Sequence, residues 1–185
     1  MLPPLIILDV QDAINQPVWD GKNNPSYIDA IERLLTAWRD HDGHVIHVKH
    51  DEANPNSSYH THGPWNGIQD RVAPRDHETV VSKTQNCAFI GTDLHDVLST
   101  LGADQFVLTG VVIHNSMDAT IRAGKALGYQ ILLPQDGTTA VPVVDHKGKT
   151  WPAQDVFDLS LALLGGEYAE VTSTEAVLKA FADRD

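Results

Sequence analysis

Three side chains in this sequence stand where apolar segments give way to polar ones, and together they offer a carboxylate, an ammonium and a hydroxyl. Asp9 closes Ile6-Ile7-Leu8-Asp9-Val10-Gln11, and Lys83 follows Val80-Val81-Ser82. Ser116 lies in Thr109-Gly110-Val111-Val112-Ile113-His114-Asn115-Ser116-Met117-Asp118-Ala119-Thr120, between the apolar run Phe106 to Leu108 and a helical pattern. A strand that turns directly into a helix aims the side chains and N–H groups of the first helical turn at whatever binds above the sheet. Ser116 is therefore a candidate nucleophile. An aspartate inside an apolar strand is costly to bury alone, and Lys83 is a partner of opposite charge. Taken singly, each has a plainer use: Asp9 as a turn cap, Lys83 as a surface lysine, Ser116 as a helix cap.

The elements that must position these residues alternate regularly. Leu5 to Val10 reads as a first strand, and Ile28, Ile31, Leu35 and Trp38 recur at helical spacing before Gly43 and a second strand, His44 to Val48. Thr79 to Ser82, Phe106 to Gly110, Gln130 to Leu133 and Tyr168 to Val171 supply four further strands, the last an edge. Helical stripes fall at Leu94, Val97, Leu98 and Leu101, after Ser116 to about Leu127, at Val156 to Leu164, and from Thr174 to Phe181. Apolar strands alternating with helices predict a mainly parallel six-stranded sheet with helices on both faces, in one domain spanning 1–185. Asp51 to His77 has no periodicity and is rich in Pro, Gly and Asn. A loop this long in a compact domain is expected to shape a pocket.

Composition narrows the partners. With 13 Lys and Arg against 25 Asp and Glu, the net charge of −12 repels phosphate backbones and anionic lipid. A small-molecule substrate is expected, with no nucleic acid and no membrane partner. No apolar stretch approaches the roughly 20 residues that cross a bilayer. The single cysteine, Cys87, cannot form an internal disulfide, and Leu5 to Val10 is too short for a signal peptide, so the expected compartment is cytoplasmic.

Five blocks, in order along the chain, resemble the isochorismatase-like hydrolases, also called the cysteine hydrolase superfamily. They are Leu8-Asp9-Val10-Gln11; Glu78 to Lys83 with Ala88-Phe89-Ile90-Gly91-Thr92-Asp93-Leu94; Thr109-Gly110-Val111 through Ala119-Thr120; Gly128-Tyr129; and Asp136-Gly137-Thr138-Thr139-Ala140. The resemblance implies a three-layer αβα Rossmann-like fold and a catalytic set at Asp9, Lys83 and position 116. It further implies a cis peptide between Val111 and Val112, and an oxyanion hole from the N–H groups of Val112 and Ser116. No cofactor is implied, and a homo-oligomer, dimer or tetramer, is expected.

The sequence departs from the family at the nucleophile, where Ser116 replaces cysteine. A lysine cation and a helix N-terminus lower a thiol's pKa into the working range, but serine must be deprotonated during attack, and an ion-paired carboxylate is a weak base for that task. Three accounts stay open: an introduced Cys→Ser replacement, a natural serine variant of low or altered activity, and vinyl-ether hydrolysis of the isochorismatase type, with Asp9 as general acid and no nucleophile. A catalytically impaired binding homologue is a further alternative. The favoured reaction is cleavage of a C–N bond in a small amide, lactam or carbamoyl compound.

Gln11, Trp19, Tyr59, Trp65, Phe89, His114 and Asn115 are expected near the pocket mouth as substrate-binding residues, although Trp19 and Trp65 equally suit ordinary packing. Glu78 is a candidate partner for Lys83, Asp136 a candidate tie between loops, and Cys87 a small buried residue. Of the 10 histidines, His44, His47 and His50 point to alternate faces of one strand and cannot converge on an ion. His60 and His62 offer two ligands at most, and no metal site is expected. Nicotinamidases of the resembling family carry an Asp-x-His metal motif where this chain has His50-Asp51-Glu52, which argues against nicotinamide as substrate.

Overall fold

The computed structural model describes residues 2–182. Strands β1 (Leu5–Leu8), β2 (Val45–His50), β3 (Thr79–Lys83), β4 (Gln105–Val111), β5 (Gln130–Pro134) and β9 (Glu170–Thr172) form a parallel sheet in the order β3-β2-β1-β4-β5-β9. A seventh strand of two residues, β6 (Thr138–Thr139), pairs with the end of β4. The expected six-stranded parallel sheet is present, with this short addition. An antiparallel hairpin, β7 (Val143–Val144) with β8 (Thr150–Trp151), had no sequence signal, because strands of two residues show no alternation.

Alternation along β1 explains the layers. Leu5 and Ile7 pack with α1 (Tyr27–Asp40) and α5 (Thr174–Ala182), whereas Ile6 and Leu8 pack with α2 (Leu94–Thr100), α3 (Asp118–Ala126) and α4 (Ala153–Leu164). Both faces of β1 are buried, so its run is apolar without a polar alternate. On α1, Ile31, Leu35 and Trp38 form the buried stripe read from the sequence, and Trp38 meets Phe181 of α5 edge-on at 5.6 Å. Gly110, with φ at +126°, brings β4 so close to β1 that a Cβ there would collide with the Leu8 backbone.

The segment from 51 to 77 is ordered by side-chain amides instead of regular backbone pairing. Gln69 donates to the Gln11 carbonyl at 3.1 Å, and Asn66 donates to the carbonyls of His50 and Tyr59 at 3.0 and 2.9 Å. Its far end is fixed by an ionic cluster. Glu78 pairs with Arg39 of α1 at 2.7 Å and with His47 of β2 at 2.9 Å, and accepts the Arg75 N–H at 2.9 Å. Glu78 is thus committed to Arg39 and His47 and is not a partner of Lys83, because it precedes β3 at the opposite end of the sheet.

Burial pushes the Glu78 carboxyl up, but the bonds from Arg39, Arg75 and His47 outweigh it and hold the pKa at about 2, below the ordinary 4.5. A depressed carboxylate stabilises the fold above its unfolded pKa and loses that contribution as pH falls through the folded value. Glu78→Gln is expected to cost about 3 kcal/mol in urea unfolding at pH 7, since it leaves Arg39 without its counter-charge. The gap between the two proteins should narrow from pH 4.5 towards pH 2. A difference that does not change with pH would contradict this assignment.

Candidate active site

Three adjacent strands end at one cavity of about 180 Å³. Asp9 is the first residue beyond β1, in a left-handed conformation with φ +58° that aspartate tolerates better than most residues. Its N–H donates to Val48 at 2.8 Å, and its carbonyl accepts the Tyr59 hydroxyl at 3.2 Å. Lys83 ends β3, two strands away, a gap of about 10 Å that only a long side chain bridges. It crosses the end of β2 with its side chain fully enclosed, and Nζ lies 2.9 Å from Asp9 Oδ2 and 3.4 Å from Ser116 Oγ. Among the described residues, Asp9 Oδ1 is buried with no partner in hydrogen-bonding geometry, although the Ser116 hydroxyl lies near enough to the carboxylate to lower its pKa.

Beyond β4 the chain does not enter an α-helix directly, as the sequence suggested. The Val111–Val112 peptide is cis, and a π-type turn, Ile113–Met117, precedes α3, with the Met117 N–H reaching back to the Val112 carbonyl at 3.4 Å. Ser116 sits in this turn, buried, and lines the cavity together with Val112. Wide turns of this kind recur at functional sites because they re-aim one side chain without ending the helix.

Electrostatics at the centre are set by burial. Loss of water raises the Asp9 carboxyl above its ordinary value, although the Lys83 cation opposes that rise. Burial, and then Lys83, hold His50 below the ordinary imidazole value, so that ring is neutral at pH 7. His50 Nδ1 lies 3.1 Å from Lys83 Nζ.

Of the other expected binding residues, Trp19, Tyr59 and Asn115 line the cavity. Trp19 meets Tyr59 edge-on at 5.9 Å and donates to Ser58 Oγ at 3.0 Å. Gln11, Trp65, Phe89 and His114 do not line it. Gln11 is fully buried and braces the backbone, donating to the carbonyls of His50 and Asn66 and accepting the His50 N–H. Phe89, partly buried against the core, stacks on Tyr129 at 5.8 Å, Trp65 projects to solvent, and His114 Nδ1 is buried with no hydrogen-bond partner among the described residues. Asp136 accepts the Thr174 N–H at 2.8 Å and so ties the segment after β5 to α5. Cys87 is half-buried in the loop after β3.

His50, Glu52, Ser57 and Asn86 also line the cavity and were not anticipated as site residues. His50 had a signal, since it ends β2 as Lys83 ends β3, and the two are register partners. The other three lie on loops without periodicity. His60 and His62 face each other edge-on at 5.9 Å, and among the described residues no group of three or more His, Cys, Asp or Glu is placed to hold a metal ion. Among the same residues, no helix is long and apolar enough to cross a membrane.

Residues 3–160 match the isochorismatase domain model. The chain is 31% identical over 177 residues to the isochorismatase family protein YrdC of Bacillus subtilis, covering 96% of this chain and 95% of that one. It is 28% identical over 130 residues to the N-carbamoylsarcosine amidase of an Arthrobacter species, covering 69% and 42%. The crystal structure of an isochorismatase-family hydrolase from Chromobacterium violaceum superposes with a TM-score of 0.95 at 37% identity, covering 98% of this chain and 94% of that one. With a matching family model over most of its length and the same parallel sheet and helical layers, the chain belongs to the isochorismatase family of hydrolases.

Proposed function

We propose that this hydrolase cleaves a C–N bond of a small amide, lactam or carbamoyl compound by nucleophilic attack from position 116. The observation that carries this is the enclosed contact of Asp9, Lys83 and Ser116 around one ammonium, at the floor of a cavity sized for a small molecule. Asp9, whose carboxylate already interacts with the residue 116 side chain, takes the proton of the nucleophile and passes it to the leaving amine. Lys83 holds Asp9 and stabilises negative charge at 116. The N–H groups of Val112 and Ser116 receive the developing oxyanion, a duty whose loss costs roughly 3 kcal/mol per donor. The covalent intermediate is an ester on serine and a thioester on cysteine.

The surroundings of position 116 suit a thiolate better than a hydroxyl. A buried cation beside a thiol stabilises its ionised form, whereas a serine needs a base stronger than an ion-paired carboxylate. We therefore read Ser116 as occupying a site organised for cysteine. A second reading has one observation in its favour: the raised Asp9 carboxyl also suits a general acid, as vinyl-ether hydrolysis would require.

Ser116→Cys is expected to release amine or ammonia from at least one member of a panel of primary amides, lactams and carbamoyl compounds, at least 100-fold faster than the serine form, roughly the span one catalytic group commands. Vinyl-ether cleavage of isochorismate by both forms, with no amine or ammonia released from any member of the panel, would sink the amide mechanism in favour of the acid one. In the Ser116→Cys background, Asp9→Asn should lower kcat by about 10² to 10⁴ with less effect on KM, because it removes the proton acceptor and not a binding contact. Unchanged kcat in that variant would remove Asp9 from the chemistry.

A further inference from the structure

A lysine ammonium has three N–H donors and no acceptor. In this site each donor has one acceptor within reach: Asp9 Oδ2 at 2.9 Å, His50 Nδ1 at 3.1 Å and Ser116 Oγ at 3.4 Å. An imidazole nitrogen accepts only through a free lone pair, so His50 must be neutral with its proton on Nε2. The Glu52 carboxylate lies on that side, with Oε2 3.8 Å from Nε2, and favours the N–H there.

We propose that His50 is a positioning residue for this reaction: it accepts the third N–H of Lys83 and, with Glu52 fixing its tautomer, keeps the ammonium aimed at Asp9 and position 116. This rests on Asp9, Lys83 and residue 116 being the reacting set. Without His50, a donor sealed from water is left unmatched, and the ammonium gains by rotating away from its two other partners. Protonation of His50 has the same result, since it places an N–H on Nδ1 against a cation.

The groups facing the ring are Lys83 from β3, Asp9 from the end of β1, and Glu52 and Tyr59 from the loop after β2, with Tyr59 edge-on at 5.7 Å. Burial and Lys83 disfavour the imidazolium, while Asp9 and Glu52 favour it. The former prevail, so the bond to Lys83 persists at neutral pH and opens only in acid.

The test is long-range ¹H–¹⁵N NMR of the imidazoles in the intact protein, with the His50 signals assigned by their loss in His50→Asn. The expected result is an unprotonated Nδ1, a protonated Nε2 and a titration below the ordinary histidine value, which Lys83→Met moves upwards. A proton on Nδ1 in the parent protein overturns the proposal, as does a titration that Lys83→Met leaves in place. In the Ser116→Cys form, His50→Asn, whose Oδ1 can replace Nδ1 as acceptor, should retain about tenfold to 100-fold more kcat than His50→Leu, the range expected for a stranded buried donor. Equal kcat in the two also overturns it. If no amide is cleaved, the proposed reaction fails, while the NMR result still decides the role of His50.

Discussion

The ion pair between Asp9 and Lys83 is the interaction on which the rest of this structure depends. Both charges are almost wholly removed from water, and a pair so placed persists only where geometry is good and the remaining donors are matched. The fold supplies this in three ways. The order β3-β2-β1-β4 sets the lysine two strands from the aspartate, so its extended side chain is held between fixed ends. Gly110 lets β4 approach β1 closely enough for residue 116 to join the pair. The irregular segment from 51 to 77, folded back by Gln11, Asn66 and Gln69, brings the Tyr59 hydroxyl onto the Asp9 carbonyl.

The same burial that makes the pair expensive gives it chemical use. Away from water a cation acts on a nearby group far more strongly than it would in bulk solvent. Asp9, raised by burial, is a better proton acceptor than a solvated carboxylate, and its second oxygen has no partner in hydrogen-bonding geometry among the described residues. In the proposed reaction the charge that ties Lys83 to Asp9 is also the charge that favours an anion at position 116, so removing Lys83 would cost stability and reactivity together.

Much of this was legible in the sequence, for physical reasons that differ by element. The strands were legible because the central ones are buried on both faces, which forces largely apolar runs, unbroken in β1 and interrupted by His47 and Lys49 in β2 and by Thr109 in β4. Asp9 and Lys83 stood out as polar residues at the carboxyl ends of apolar runs and Ser116 by following the strand-turn-helix junction, but it was the family resemblance that joined them as a set; His50 could have been singled out by the same strand-end rule. The pocket wall was not legible. Glu52, Ser57 and Asn86 lie on loops, and no period marks them. Gln11 and Phe89 do not line the cavity because proximity in sequence to a site residue does not say which way a side chain points: Gln11 is buried under the loop, and Phe89 is partly buried against Tyr129. The π-type turn before α3 leaves the apolar pattern unchanged and so had no signal.

The central claim is that the buried cation of Lys83 activates a nucleophile at position 116. It is tested most directly by the pH dependence of iodoacetamide alkylation in Ser116→Cys combined with Cys87→Ser, which leaves one thiol and needs no substrate. The account requires an inflection below about 8.5, the ordinary thiol value, that Lys83→Met returns upwards. An inflection at or above that value, unmoved by Lys83→Met, would contradict it.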